Sequence, residues 1–266
     1  MNDAMVVFRN AGAELEQWRL RQVRTPPEQP EPSSELAEDD AVFPGHPISD
    51  TVRFNLVSAG EHLRLVLDGL ERGNLYSVAG HSTVRGALVA AVQAIWMTAL
   101  DEPAARRRRG HLMIAETYRQ LRNYHQNTRT WASDLDLNTE ERHALQEHLA
   151  WIDSRLAALN ALQPGLPKVS TTVMFADVAP VAFPARPELQ ANMRLAWNRL
   201  SSDAHVLTWG AATRAKFSEP ALDTGLSVGV IGTDPAPLAN WYALAMHLLR
   251  TGWSLYDRRS TASGPA

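Results

Sequence analysis

The chain contains no cysteine, which excludes disulfide staples, thiolate nucleophiles and cysteine-ligated zinc. Long apolar runs are missing as well. No window reaches about 18 apolar residues without a charge, so the sequence predicts no span across a bilayer. Met1 to Val23 alternates apolar and charged residues without an uninterrupted apolar region, which predicts no secretory leader. Charge of one sign is not in excess: 26 basic residues face 29 acidic ones, for a formal charge of −3. That balance argues against a surface that grips nucleic acid or acidic membrane as a whole, and it leaves room for a local basic site. Lysine is nearly absent, at 168 and 216 alone, and with abundant alanine this reflects a GC-rich genome more than a function. There is no internal repeat. These absences predict a soluble cytoplasmic protein without membrane partners.

What is present is globular composition, 45% apolar and 21% charged over 266 residues, enough to bury a sizeable core. The sequence predicts a helix within residues 1–24, from about Met5 to Gln22, with Val6, Leu15, Trp18 and Leu20 among charges. Residues 25–47 are rich in proline and acidic residues and read as an extended linker or a loop wrapped over the surface. A helical bundle domain follows over 48–257. Ser49 or Asp50 caps a helix to about Arg72, with Leu56, Leu63, Val66, Leu67 and Leu70 at helical spacing. Gly80 to Thr83 caps a second to about Leu100, whose stripe is Val84, Leu88, Ala91, Val92, Ile95 and Ala99. Glu102-Pro103 starts a third, more polar helix to about Asn127. Thr139 caps a fourth, with Leu145, Leu149, Ile152, Leu156 and Leu159 stepping by four and three. Val169 to Phe175 reads as a short strand or packed loop between prolines. A long helix covers Glu188 to Phe217, with a break near Ser201 to Asp203, and Asp234-Pro235 starts a last one ending near Tyr256. Residues 258–266 read as a frayed, disordered tail. The expected fold is therefore all-α, a bundle of about six or seven helices with a Pro-rich N-terminal loop.

Several patterns invite chemistry and are better read as scaffold. Gly225-Leu226-Ser227-Val228-Gly229 has the spacing of a nucleophile elbow, with Asp234 and His247 following, but such a triad needs a parallel sheet that this pattern lacks. The nine histidines form no His-x-x-x-His pair, and the single Glu-x-x-His at Glu140 to His143 lacks the second copy that a di-metal bundle needs. No metal or cofactor is expected. Arg106 to Arg109 point around the whole circumference of a helix, so the run predicts a solvated helix start, partly paired with Glu102 and Glu116.

One stretch concentrates chemistry among residues that want to be inside: Trp197-Asn198-Arg199-Leu200-Ser201-Ser202-Asp203-Ala204-His205, followed by Trp209. Arg199 and His205 are six residues apart, about 9 Å of rise and roughly 120° of rotation on a helix. A guanidinium stabilises charge developing on a phosphate while an imidazole moves protons to or from a 2′-hydroxyl, so the pair suits RNA cleavage without metal. Against this stands a structural reading, in which Ser202 or Asp203 caps a helix and His205 is hydrogen-bonded in the core between Trp197 and Trp209.

The run from Trp197 to His205 resembles the signature of uncharacterised bacterial all-helical proteins, themselves similar to the HEPN superfamily, whose nuclease members carry Arg-x4-6-His in a helical bundle. Ser58 to Leu63, Val84-Arg85-Gly86-Ala87-Leu88 and Ile95-Trp96 resemble the first half of the same proteins. The resemblance implies a bundle, often dimeric, in which Arg and His from two chains meet, acting as an RNA-cutting toxin or defence effector. It also covers inactive binding or scaffold relatives. Leu200 replaces a polar residue after the arginine, Val89 stands where a glutamate is expected, and Asn198 stands where the arginine is expected. Two functions follow. In the first, Arg199 and His205 are catalytic, supported by Asn198, Ser202, Asp203 and Arg85, and RNA is the substrate. In the second, the chain is a non-catalytic interaction or scaffold protein with a protein partner or a second copy of itself.

Overall fold

The computed structural model of the chain describes residues 2–232 and 235–262. Ten helices and one two-stranded sheet lie among them, so the all-α expectation holds at the level of class while the number of helices exceeds it. The helices are α1 (Asn2–Gln22), α2 (Glu35–Val42), α3 (Ile48–Glu71), α4 (Ala79–Thr98), α5 (Pro103–Thr130), α6 (Thr139–Leu162), α7 (Thr171–Ala182), α8 (Pro187–Ala204), α9 (Thr208–Ala212) and α10 (Ala236–Ser260). Strands β1 (Ala215–Phe217) and β2 (Gly229–Ile231) pair antiparallel, with Lys216 opposite Val230.

Helix α4 is the axis of the bundle. Its buried residues fall on every side, from His81 and Val84 to Trp96 and Thr98, and a helix apolar all round has to be covered all round. Helices α3, α10, α8, α7 and α5 supply that cover. Close approach is secured by small residues. A β-carbon on Gly252 of α10 would lie 2.6 Å from a Leu56 methyl of α3, so α10 can reach this depth only without a side chain there. The α3 stripe points inward as its spacing predicts, with Leu56, Leu63, Val66 and Leu67 buried. The same is true of Leu145, Leu149, Ile152 and Leu159 on α6, which packs on α5. Each fully buried leucine of these seams contributes about 2 kcal/mol.

Local signals set several ends where the sequence places them. Glu102 accepts from the backbone N–H groups of Ala104 and Ala105 with Pro103 in the first turn; α6 starts at Thr139 as expected, but its cap is the preceding Asn138, in a reciprocal capping box with Glu141, and not Thr139 itself. Other expectations fail. Val169 to Phe175 is no strand, because the apolar positions continue as Met174, Phe175, Val178, Ala179 and Ala182, all buried on one face of α7 behind the Ser170 cap. The helix expected to run to Phe217 stops at Ala204, and Lys216 and Phe217 lie in β1. Gly80 to Thr83 sit inside α4 and not ahead of it. Asp234 lies outside the described residues.

The segment at 25–47 is not an extended linker. It carries α2, capped by Ser34, whose Leu36 and Asp39 are fully buried. Asp39 holds Arg106 at 2.6 Å, and Glu35 holds the same guanidinium at 2.7 Å and Arg259 at 2.5 Å. Arg259 also pairs with Asp101 and donates to the Thr98 carbonyl. The network ties α2, α5 and α10 together across long stretches of chain. It corrects two further expectations. Arg259 belongs to the last turn of α10 and is 3% exposed, so the helix runs through Ser260, inside the stretch expected to fray. Arg106 and Arg109 are scaffold, while Arg108 stays exposed as a solvated helix start would have it: Arg109 donates to Asp177 at 2.8 Å and to the Trp96 carbonyl, and Glu116 pairs with Arg119.

Burial pushes the Asp39 carboxyl above its ordinary range even with Arg106 beside it, the mark of a pair that costs much of its own attraction in lost hydration. Replacement of one partner is therefore worse than replacement of both. Arg106→Ala should destabilise the fold by about 3–5 kcal/mol in urea denaturation, whereas Arg106→Met combined with Asp39→Leu should recover most of that loss. A double variant no more stable than the single one would show that the pair is a net source of stability.

Candidate functional site

Helix α8 presents Met193, Ala196, Leu200 and Asp203 to the interior at spacings of three and four, which fixes where its polar residues fall. Asn198 is exposed. Arg199 is half-buried and lines a cavity of about 610 Å³ with Asn192, Asn240, Trp241 and Leu244, and its Nε is buried with no hydrogen-bond partner. Ser201 Oγ donates to the Trp197 carbonyl at 2.6 Å and accepts from Arg85 Nε at 3.1 Å. The Arg85 guanidinium lies 4.6 Å from the centroid of the Trp197 ring, and burial lowers its affinity for a proton from the ordinary arginine value. Arg85 thus clamps α4 to α8 through a cation–π contact and one hydroxyl.

Ser202 and Asp203 do not orient Arg199 and His205. The Ser202 hydroxyl donates to the Arg199 carbonyl at 2.8 Å, and it packs where a β-carbon on Gly210 would stand 1.7 Å away, so α9 folds back against it only because residue 210 is glycine. Asp203 is 3% exposed and takes both terminal nitrogens of Arg214, at 2.6 and 2.9 Å. This fork-on-fork pair is directional and uses the carboxylate completely.

His205 is the C-cap of α8 and is exposed, so it is neither in the core nor between Trp197 and Trp209. It does not line the Arg199 cavity. Within one chain, therefore, the two expected catalytic residues are not brought to one cleft. The reason is the helix end. Leu207 N–H donates to the Ser202 carbonyl at 2.8 Å and Val206 N–H to Asp203 at 3.1 Å, the paired bonds of a Schellman turn. That turn requires a positive φ at residue 206, where a valine stands at +57°. A β-branched residue there is strained by about 1–2 kcal/mol. The turn swings residues 205 to 209 outward, with Val206 84% exposed.

Two residues that the sequence does not single out complete the polar cluster. Arg214 follows α9, and His81 lies in the first turn of α4, 4% exposed. His81 Nδ1 donates to the Ser77 carbonyl at 2.8 Å, and Arg214 Nη2 reaches the same oxygen at 3.4 Å. Burial, with the nearby Arg214 charge, pushes the His81 imidazole down to about 4. No short-range motif marks either residue, since Arg214 lies 137 positions from Ser77.

The other patterns are scaffold. Ser227 sits in a loop ahead of β2, with no strand–turn–helix elbow, and the His247 imidazole donates from Nε2 to the Ala182 carbonyl at 2.9 Å, stacked on Phe183. His143 is exposed and lies 3.3 Å from Glu147. Among the described residues no three His, Asp or Glu side chains cluster in a way that could hold a metal, and no helix is long and apolar enough to cross a membrane.

The state of His81 sets a pH dependence. Its folded pKa lies below the unfolded value near 6.5, so the unfolded chain binds the extra proton, and stability present above about pH 6.5 is lost as pH falls toward 4. This one group should contribute a slope of about 1.4 kcal/mol per pH unit between roughly pH 6 and pH 5. Urea midpoints followed across that range should show a shallower slope in His81→Phe, because His46 and His111, lowered by burial in the same way, remain. An unchanged slope would mean that His81 is charged in the folded protein.

Compared with family models, curated proteins and solved structures, the chain matches none.

Proposed function

We propose that this chain is a non-catalytic helical interaction protein that assembles with a second copy of itself through the surface formed by residues 205–231. The observation that carries the reading is the concentration of exposed large apolar side chains there. Val206, Leu207 and Trp209 are followed by Phe217, Leu226, Val228 and Val230, each at least 49% exposed. So many large apolar side chains exposed within one short segment are unfavourable in water unless something covers them. Val206 adds a second argument: glycine would relieve the turn, yet a strained valine is placed where its side chain meets only solvent. The choice of a second copy rests on the hairpin. Among the described residues each strand of the β1–β2 sheet has a neighbour on one side only, and a three-residue pair is too short to be stable alone. Antiparallel addition of the same edge about a twofold axis satisfies both chains with one patch.

Val206→Gly separates the two roles of the residue. It should raise the stability of the isolated chain by about 1 kcal/mol in denaturant and weaken self-association at least about tenfold in light scattering or sedimentation. A wild-type chain that stays monomeric at high micromolar concentration would overturn the reading.

One observation favours the ribonuclease reading in second place. Arg199 keeps an unpartnered Nε beside an open cavity, and the His205 imidazole makes no hydrogen bond among the described residues. In a dimer whose axis passes near His205, the imidazole of one chain meets the arginine of the other. Purified protein in EDTA should then cut RNA, with losses of about 100-fold or more in His205→Ala and in Arg199→Ala. Cleavage that survives both substitutions, or none in the wild type, rules this reading out.

A further inference from the structure

In the apolar stretch of α4 from Gly86 to Met97 stands one amide, Gln93. It is half-buried and opens on a groove of about 760 Å³ whose walls are the first turns of α3 and the middle of α5. That volume falls within the roughly 300–1,000 Å³ of small-molecule sites.

The open polar atoms of the groove remain in contact with solvent. The Gln93 amide makes no hydrogen bond among the described residues, and neither of its polar atoms is shut away from water. Asn55 is only 7% exposed and lines the same groove. Its Nδ2 donates to the Thr51 carbonyl at 2.9 Å, while its Oδ1 accepts from nothing among the described residues and is still accessible. A nine-tenths buried amide with an open oxygen is left for a partner from outside the chain. The two threonine hydroxyls of the groove spend their protons on backbone carbonyls, Thr51 on Pro47 and Thr117 on Met113, and so offer lone pairs only. Acceptors therefore outnumber donors, and they come from three helices.

Charge does not set the preference. Arg53 donates to Asp50, and Glu116 gives one carboxylate oxygen to Arg119 and the other to Gln120. Burial lowers the His46 imidazole below its ordinary value, which leaves it neutral at pH 7. Beside this neutral, acceptor-rich wall stands an aromatic ring with little cover, Phe54, 70% exposed. A ligand that suits both surfaces carries several hydroxyls, each able to donate, around a ring whose C–H face can lie on a π-system.

We propose that the groove binds a neutral pyranose sugar, with hydroxyls donating to Asn55 Oδ1 and Gln93 Oε1, one accepting from Gln93 Nε2, and the ring C–H face on Phe54. None of these residues is Arg199, His205 or part of 205–231, so the site goes beyond the self-association reading and is tested apart from it.

Saturation-transfer NMR and titration calorimetry of the full chain with the methyl β-pyranosides of glucose, galactose and mannose test the assignment. At least one should saturate in the millimolar range, with the strongest transfer to ring C–H protons. Glycerol, which has hydroxyls without a ring face, should bind about tenfold more weakly or worse. Phe54→Ala should weaken the sugar about tenfold and remove the transfer to its C–H face, and Gln93→Leu should weaken it by a similar factor. Circular dichroism establishes that each variant is folded. If Gln93→Leu does not fold, Phe54→Ala decides the matter, because that ring lies at the surface. No saturation by any of the three glycosides up to high millimolar concentration, an affinity unchanged in Phe54→Ala, or a preference of about tenfold for glucosamine over glucose, which would mark a cation site, would overturn the assignment.

Discussion

Everything in this molecule depends on the need to cover α4. A helix with buried residues on all sides cannot lie at a surface, and five other helices are arranged around it as a consequence. The polar residues of α4 inherit their roles from that position. Arg85 reaches α8, where it meets Trp197 and Ser201. His81, at the end of the same helix, is shut in beneath the segment that follows α9 and keeps one nitrogen without a partner.

The buried ion pairs answer a different problem, the docking of chain segments with too little apolar surface to hold themselves in place. Helix α2 is short and acidic, and two turns of helix are not stable alone. Asp39 and Glu35 give it fixed partners in Arg106 and Arg259, which come from elements far away in the chain. The Asp203–Arg214 pair acts in the same way on the segment after α9, where few residues are buried. Such pairs confer position more than stability, because desolvation offsets most of their attraction.

The stretch from Trp197 to His205 behaves as a junction and not as a single site. Its residues are distributed over three environments: Trp197 and Ser201 at the contact with Arg85 of α4, Asp203 in the core against Arg214, and His205 outside the end of the helix. The Schellman turn at Val206 causes the separation, since it ends the helix one residue before the histidine and turns the chain outward. A capping glycine would have advertised that turn in the sequence. The valine concealed it.

The class of fold and most helix positions were legible from the sequence, because hydrophobic period and capping residues act within a few positions of one another, as at Glu102-Pro103 and the leucine seam of α6. Val169 to Phe175 has β-branched residues that suit a strand, and the helical spacing of α7 emerges only in its later turns at Val178, Ala179 and Ala182; α2 is not legible in residues 25–47 because proline and acidic content says nothing about a distant arginine that can pair with it. The sequence by itself determined that the chain is helical and which stripes face inward. Tertiary structure alone decided which charges are buried against each other, that His81 and Arg214 share the Ser77 carbonyl, and that Arg199 and His205 part company. Local signals decay over about one helical turn, whereas an ion pair or a shared carbonyl is defined only when distant segments have packed.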